Sequence, residues 1–396
     1  MSNRAEAQAQ IDRTLRDAVA AHRVPGVVAA ATTPEAPIYE GAFGVRSLES
    51  GTAMTLDTVF RIASMTKAIT SVAAMQLVEE GKLSLDTPLS GIDPTVDNPQ
   101  VLEGFDASGK PILRPAKRPI TLKHLLTHTA GFSYEAWNSN TQRYYRDLGT
   151  PATQTGRKAA LRIPLAFDPG DKWEYGINID WVGLVIEKAT GKTIDTVFRE
   201  RIFEPLGMAD TGFVASPDMR SRQVSVHTRQ ADGGLAPQPL ETPIQPEFYA
   251  GGGGLYSTAR DYLRFLRMLL NHGTLNGARI LKPETVARMA ENQVGELPAG
   301  TMTTFMPDRS NHVDFFPGAR VRWGLGYMLN MEPGPNGRSA GTVSWAGIFN
   351  SYYWLDPAKQ LAGVIMHQIL PFADIEAVKL YGQFERGVYN LAETQR

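Results

Sequence analysis

From Ser64 to Gly81 the chain carries a helix-length run whose apolar residues Ile69, Val72, Ala73, Met75, Leu77 and Val78 point to nearly every side. A helix apolar all round holds together only when other elements enclose it. This segment therefore belongs in the middle of a large core. Glu79-Glu80-Gly81 closes it, with glycine at the C′ position that favours a left-handed backbone. A chain of 396 residues is long enough for such a core, as two domains or as one with an insertion.

The run opens with Ser64-Met65-Thr66-Lys67, the sole Ser-x-x-Lys in the sequence. Residues three apart share a helix face. A hydroxyl in the first turn thus has an amine beside it, with free N–H groups and the positive end of the helix dipole pointing the same way. An acyl-transferring serine needs that set: a nucleophile, a group to handle its proton and positive potential for an oxyanion. Because the helix is a core helix, Lys67 is not expected to be a solvated surface amine.

Bulk composition excludes several functions. With 42% hydrophobic and 20% charged residues the chain reads as an ordinary soluble globular protein. Its 40 basic and 41 acidic residues leave a net charge of −1, so no field gathers nucleic acid or an anionic membrane. The absence of cysteine removes disulfides, thiolate metal sites and cysteine nucleophiles. The polar start, Met1-Ser2-Asn3-Arg4-Ala5-Glu6, has no apolar export segment, and no stretch approaches the roughly 18 apolar residues of a membrane span. A cytoplasmic location is expected, with no membrane partner and no cofactor.

Along the chain, residues 8–22 read as an amphipathic helix, and 27–31 and 37–44 as paired strands. Helical patterns with long polar, proline-rich loops follow, with helices expected at 122–129 and 180–189. Helices at 257–270, the first turn holding a Thr258/Asp261 capping box, and at 283–292 precede strands at 323–328, 342–355 and 361–368. A last amphipathic helix spans 375–391. The outline is strands and helices at both ends, residues 1–85 and 251–396, with a mainly helical insertion over 86–250 and an active site between them.

Four other motifs fail on context. Gly337-Arg338-Ser339-Ala340-Gly341 spells a nucleophile elbow, but a loop leads in and a strand leads out. Gly191-Lys192-Thr193 ends a helix and lacks the first glycine of a phosphate loop. Gly251 to Gly254 lacks dinucleotide spacing and reads as a close backbone approach. His124 and His128 stand at i and i+4 with no third ligand nearby, so they read as structural.

Two further stretches suit Ser64. Asp168-Pro169-Gly170 is a turn signal leading to Trp173-Glu174-Tyr175-Gly176, so Tyr175 stands just before a helix and can project into a cleft. Ser344-Trp345-Ala346-Gly347 begins a strand. Gly347 would let a substrate lie close, and the next N–H, of Ile348, could face an oxyanion.

Ser64-x-x-Lys67, then Tyr175, then Trp345-Ala346-Gly347 resembles the serine β-lactamase/penicillin-binding-protein superfamily. Its class C-like branch, with the family VIII carboxylesterases, is the nearest likeness. Phe60-Arg61-Ile62-Ala63, Leu125-Leu126-Thr127-His128-Thr129-Ala130-Gly131 and Pro205-Leu206-Gly207-Met208 match its habits too, and the likeness runs from about residue 8 to 390. The resemblance implies an α/β (α+β) fold, an antiparallel sheet flanked by helices plus the helical insertion. It also implies catalytic Ser64, Lys67 and Tyr175, and an oxyanion hole from the N–H groups of Ser64 and Ile348. Trp345, Ala346, Gly347, Ile177 and Asn178 fall at substrate-binding positions.

Two departures bear on substrate. The family's Tyr-x-Asn is Tyr175-Gly176-Ile177 here, with Asn178 one place late. Its Lys-Thr-Gly is Trp345-Ala346-Gly347, which removes a cation for a substrate carboxylate, about 1.5–3 kcal/mol of charged hydrogen bonding, and adds an indole. Both changes favour small, neutral, hydrophobic acyl esters. A carboxylesterase is expected; an acyltransferase to an alcohol, a weak β-lactamase or DD-peptidase-like hydrolase and a non-catalytic binding protein are the alternatives. A free tyrosine near pKa 10 is ionised by only about 0.1% at pH 7, so Tyr175 would need Lys67 beside it to act as a base.

Overall fold

The structure, a computed structural model, describes residues 3–240 and 246–394; Met1 and Ser2 of the polar start lie outside them. Its main sheet has seven antiparallel strands: β1 (Gly26–Thr32), β2 (Pro37–Gly44), β3 (Val321–Trp323), β4 (Met328–Asn330), β5 (Val343–Gly347), β6 (Ser351–Asp356) and β7 (Leu361–Met366). They run in the order β3-β4-β5-β6-β7-β1-β2. The expected antiparallel sheet flanked by helices is present, and every strand of it comes from the two ends of the chain.

Every residue of β1 and β7 is buried, so both faces of the sheet are covered. Successive side chains of a strand point to opposite faces. In β6, Tyr353 packs on Tyr262 of α4 (Ala259–Leu270), while Trp354 packs on Phe384 of α5 (Ile375–Glu393). The two helices therefore cap opposite faces, and α1 (Asn3–Ala20) lies beside α5. Trp354 faces Gly363 across the β6–β7 pair, and a Cβ there would come 2.2 Å from the indole.

The all-round apolar helix is α2 (Thr66–Glu79), and its residues from Thr66 to Leu77 are all buried. Against it packs α3 (Asn178–Thr190). Ser64 does not sit in α2 itself. It lies in a 3₁₀ turn, Ala63–Met65, that leads in.

Several expected elements come out differently. The run 342–355 is a hairpin, β5 and β6, turned at 348–350 with Asn350 at φ 65°. The run 323–328 is broken by Gly324 and Gly326; a Cβ on either would come 2.3 Å from another residue, Met289 O and Ser71 Oγ respectively. Within 86–250 a hairpin pairs Gln100–Phe105 with Pro111–Pro115, which reading its prolines as loop markers obscured. Its turn is an Asx type, Asp106 accepting from the N–H groups of Ser108 and Lys110. His227–Arg229 pairs with Leu235–Pro237 and, in parallel, with Ile369–Leu370, so this stretch is less purely helical than expected.

Candidate active site

Ala63 at φ 44° occupies the left-handed region, which costs a non-glycine residue about 1–2 kcal/mol. That kink swings the 3₁₀ turn out of the short Phe60–Arg61 strand. Tyr262 Oη donates to Met65 O at 3.0 Å and Ile62 N to Leu255 O at 3.0 Å, which hold the turn from both sides. Among residues 62–77, Ser64 alone is not fully buried.

Lys67 is 1% exposed, and the three donors of its protonated form have three partners. Nζ donates to Ser64 Oγ at 3.1 Å, to Tyr134 Oη at 3.2 Å and to Gly252 O at 2.6 Å. A neutral lysine amine has two N–H groups and one lone pair. With Gly252 and Tyr134 accepting the two N–H groups, the lone pair faces Ser64 Oγ, the position a base must occupy. The Tyr134 phenol is pushed well above its ordinary range, by burial first and then by Asp180 and Tyr175, so it stays protonated.

Tyr175 is near Lys67 by its ring: Nζ lies 4.7 Å from the ring centroid. Its hydroxyl oxygen accepts from Trp345 Nε1 at 2.9 Å. Trp345, expected to offer apolar surface to a substrate, is 2% exposed and spends its indole N–H on the phenol. Around this pair stand Trp173, Trp323, Trp137 and Phe315, with ring centroids 4.7 to 6.5 Å from Tyr175 or Trp345. Tyr134, Trp137, Phe315 and Ile348 are the partly exposed members of the surround.

The other expected site residues divide. Among the described hydrogen bonds, the N–H groups of Ser64 and Ile348 have no backbone acceptor. The turn carrying Ile348 is pinned by Asn350, whose amide donates to Ile369 O and Pro371 O and accepts from Tyr352 Oη and Asp374 N. Gly347 is buried. A Cβ there would lie 2.5 Å from Ile62 O, so the glycine lets β5 press against the Ser64 turn. Ala346 is buried opposite Tyr352 in the sheet. Ile177 and Asn178 are fully buried, with no surface open to a bound molecule. Asn178 Nδ2 instead reaches His128 Nδ1 at 3.0 Å and Phe132 O at 3.1 Å.

His128 Nδ1 also accepts from Gly176 N at 3.4 Å, so the imidazole props the backbone beside Tyr175. Burial, with Lys67 adding to it, holds this histidine neutral, well below its ordinary range. His124 Nδ1 accepts from Thr121 N at 3.2 Å in a helix cap. Farther back, Arg114 grips the Asp168 carboxylate with two N–H groups and holds it well below the usual carboxylate range, which anchors the turn ahead of Tyr175. The Gly337–Gly341 string is a loop whose Arg338 is buried on Glu385. Thr258 Oγ1 accepts from Asp261 N, but the Asp261 carboxylate faces Asp210, Thr211 and Arg264 and does not close the box.

Tyr134, Asp180 and Gly252 are the site residues that sequence reasoning missed. Tyr134 follows the Leu125–Gly131 string by three positions, which is the one available signal. No helix of the described residues is long and apolar enough to cross a membrane.

A family profile described as Beta-lactamase matches residues 11–386. The chain is 32% identical over 394 residues to a lovastatin esterase of Penicillium rubens, covering 96% of this chain and 98% of that one. It is 31% identical over 396 residues to a monacolin J acid methylbutanoyltransferase of Aspergillus terreus, covering 96% and 95%. Among solved structures, unliganded simvastatin synthase from Aspergillus terreus superposes with a TM-score of 0.84 at 29% identity, over 97% of this chain and 98% of that one.

Proposed function

The chain belongs to the beta-lactamase family, and from that premise we propose that it is a serine carboxylesterase acting on small, neutral, short-chain acyl esters through an acyl-enzyme on Ser64. The observation that carries this reading is Lys67 Nζ at 3.1 Å from Ser64 Oγ, with its other two donors already taken. Ser64 Oγ attacks the ester carbonyl as its proton passes to Lys67. The N–H groups of Ser64 and Ile348 receive the oxyanion, a contribution of about 3–4 kcal/mol per donor in related chemistry. The proton then goes to the departing alkoxide, and water repeats the route to release the acid.

Tyr175 takes part at the leaving group. Its oxygen accepts from Trp345, so its own hydrogen is free to be donated into the site, while its ring face favours the protonated amine. The partly exposed aromatic rim of Tyr134, Trp137 and Phe315 suits a neutral apolar substrate.

A second reading is transfer of the acyl group to an alcohol, supported by the methylbutanoyltransferase among the relatives. Both readings share an acyl-enzyme and differ in what attacks it. Hydrolysis of p-nitrophenyl butyrate, followed with and without added alcohols, separates them. A carboxylesterase keeps releasing free acid as the main product. A dominant ester product at millimolar alcohol would replace it with the transferase reading.

A further inference from the structure

Asp180 is a buried carboxylate that the scheme above does not use. It stands in the first turn of α3, where the helix dipole favours its ionised form. Burial pushes its carboxyl above the usual range, and a positive charge on Lys67, once taken up, pulls it back. Its Oδ1 accepts from Gly252 N at 2.9 Å. A Cβ on Gly252 would come 2.5 Å from its Oδ2, so the carboxylate packs flat against a residue that has to be glycine. Gly252 O is in turn the shortest partner of Lys67, at 2.6 Å.

The same loop is stitched to α2 at two more points. Thr70 Oγ1 donates to Gly251 O at 2.6 Å, and Leu255 N donates to Thr66 Oγ1 at 3.2 Å. Those contacts fix the loop along α2. Asp180 is its tie to α3, and it holds the N–H of the residue whose carbonyl faces the amine.

We infer that Asp180 is a positioning residue for Lys67, clamping Gly252 so that the amine's lone pair is held on Ser64, and offsetting the positive charge that Lys67 takes up during acylation. The inference rests on the proposed role of Lys67 as the base for Ser64. No proton reaches Asp180: it moves from Ser64 Oγ to Lys67 Nζ and on to the leaving oxygen. The titratable groups facing Lys67 are Tyr134 from the loop after Gly131, Tyr175 from the turn before α3, His128 from the end of the 122–126 helix, and Asp180. Asp180 is the sole carboxylate among these.

The test compares Asp180→Asn, which keeps an acceptor for Gly252 but removes the charge, with Asp180→Ala, which removes both. Asp180→Asn should lower kcat about tenfold with KM unchanged, and the acidic limb of the kcat/KM profile should move to lower pH because Lys67 loses its counter-charge. Asp180→Ala should lose about a further tenfold as the clamp goes. Wild-type kcat and an unmoved acidic limb in Asp180→Asn overturn the inference. So does a loss of kcat that tracks a lowered melting temperature with the limb in place. Should Asp180→Asn not fold, Gly252→Ala reads the same link, since its methyl meets the carboxylate; unchanged kcat there overturns the inference equally. Ser64→Ala and Lys67→Met run alongside. Activity surviving in those two would refute the acyl-enzyme reading itself, whereas their inactivity beside a fully active Asp180→Asn refutes this inference alone.

Discussion

The polar side of the site, where the Ser64 turn and α2 meet the 251–255 loop, spends nearly every donor and acceptor on a fixed partner. The aromatic side, where Tyr175 meets Trp345, Trp323, Trp173 and Trp137, is held by ring contacts and the hydrogen bond from Trp345. The indole nitrogens of Trp173 and Trp323 are buried without a hydrogen-bond partner among the described residues. Misplacing one atom on the first side breaks directional bonds to Lys67. On the second side a ring replaced by a ring of similar size leaves most of the packing intact. In the proposed scheme, uptake of the Ser64 proton therefore belongs to the polar side, and donation at the leaving group together with recognition of the acyl ester to the aromatic side.

Four substitutions or conditions sharpen or break that contrast. Lys67→Met should lower kcat by about three orders of magnitude with little change in KM; steady-state kinetics showing a loss below tenfold would end the polar side's claim to the chemistry. Trp345→Phe keeps a ring but removes the donor to Tyr175, so kcat should fall about tenfold, the worth of one hydrogen bond to a phenol that is gaining charge. Unchanged kcat would make Trp345 a packing residue only. Gly347→Ala puts a methyl against Ile62 O, and overpacking of this kind costs about 1–3 kcal/mol. Its melting temperature should drop by several degrees, with a smaller loss of kcat as the Ser64 turn moves.

The smallest effect comes from pH. His128 on the aromatic side is kept neutral by burial and by Lys67, and His367, buried just past the end of β7, is pushed down to about 4 by burial. An unfolded histidine takes up its proton near pH 6.5. Between about pH 6.5 and 4 the unfolded chain thus binds more protons than the folded one, and stability falls on acidification. The melting temperature should decline steadily from pH 7 to 5; a flat profile would mean that the interior beside Tyr175 is wetter than its packing indicates.

What the sequence made legible has a physical logic. The all-round apolar run around α2, the Ser64-x-x-Lys67 spacing and the turn before Tyr175 are local patterns, and local patterns survive in one dimension. Lys67–Gly252, Asp180–Gly252 and Trp345–Tyr175 join residues 185, 72 and 170 positions apart, and single residues at such separations leave no periodic trace. The Gly251–Gly254 stretch was readable as a close backbone approach but not as the seat of the lysine's acceptor. Gly347 and Asn178 show the same limit: a small residue or an amide near the site serves the scaffold as readily as a substrate, and one dimension does not tell the two apart. Here Ile62 and His128 claim them.

The central claim is that Ser64 carries the acyl group. Wild-type protein mixed with p-nitrophenyl butyrate and quenched during turnover should show, by peptide mass spectrometry, one butyryl adduct on Ser64, and Ser64→Ala should show neither adduct nor hydrolysis above background. Ester turnover persisting in Ser64→Ala, or an adduct located on any other residue, would contradict the account.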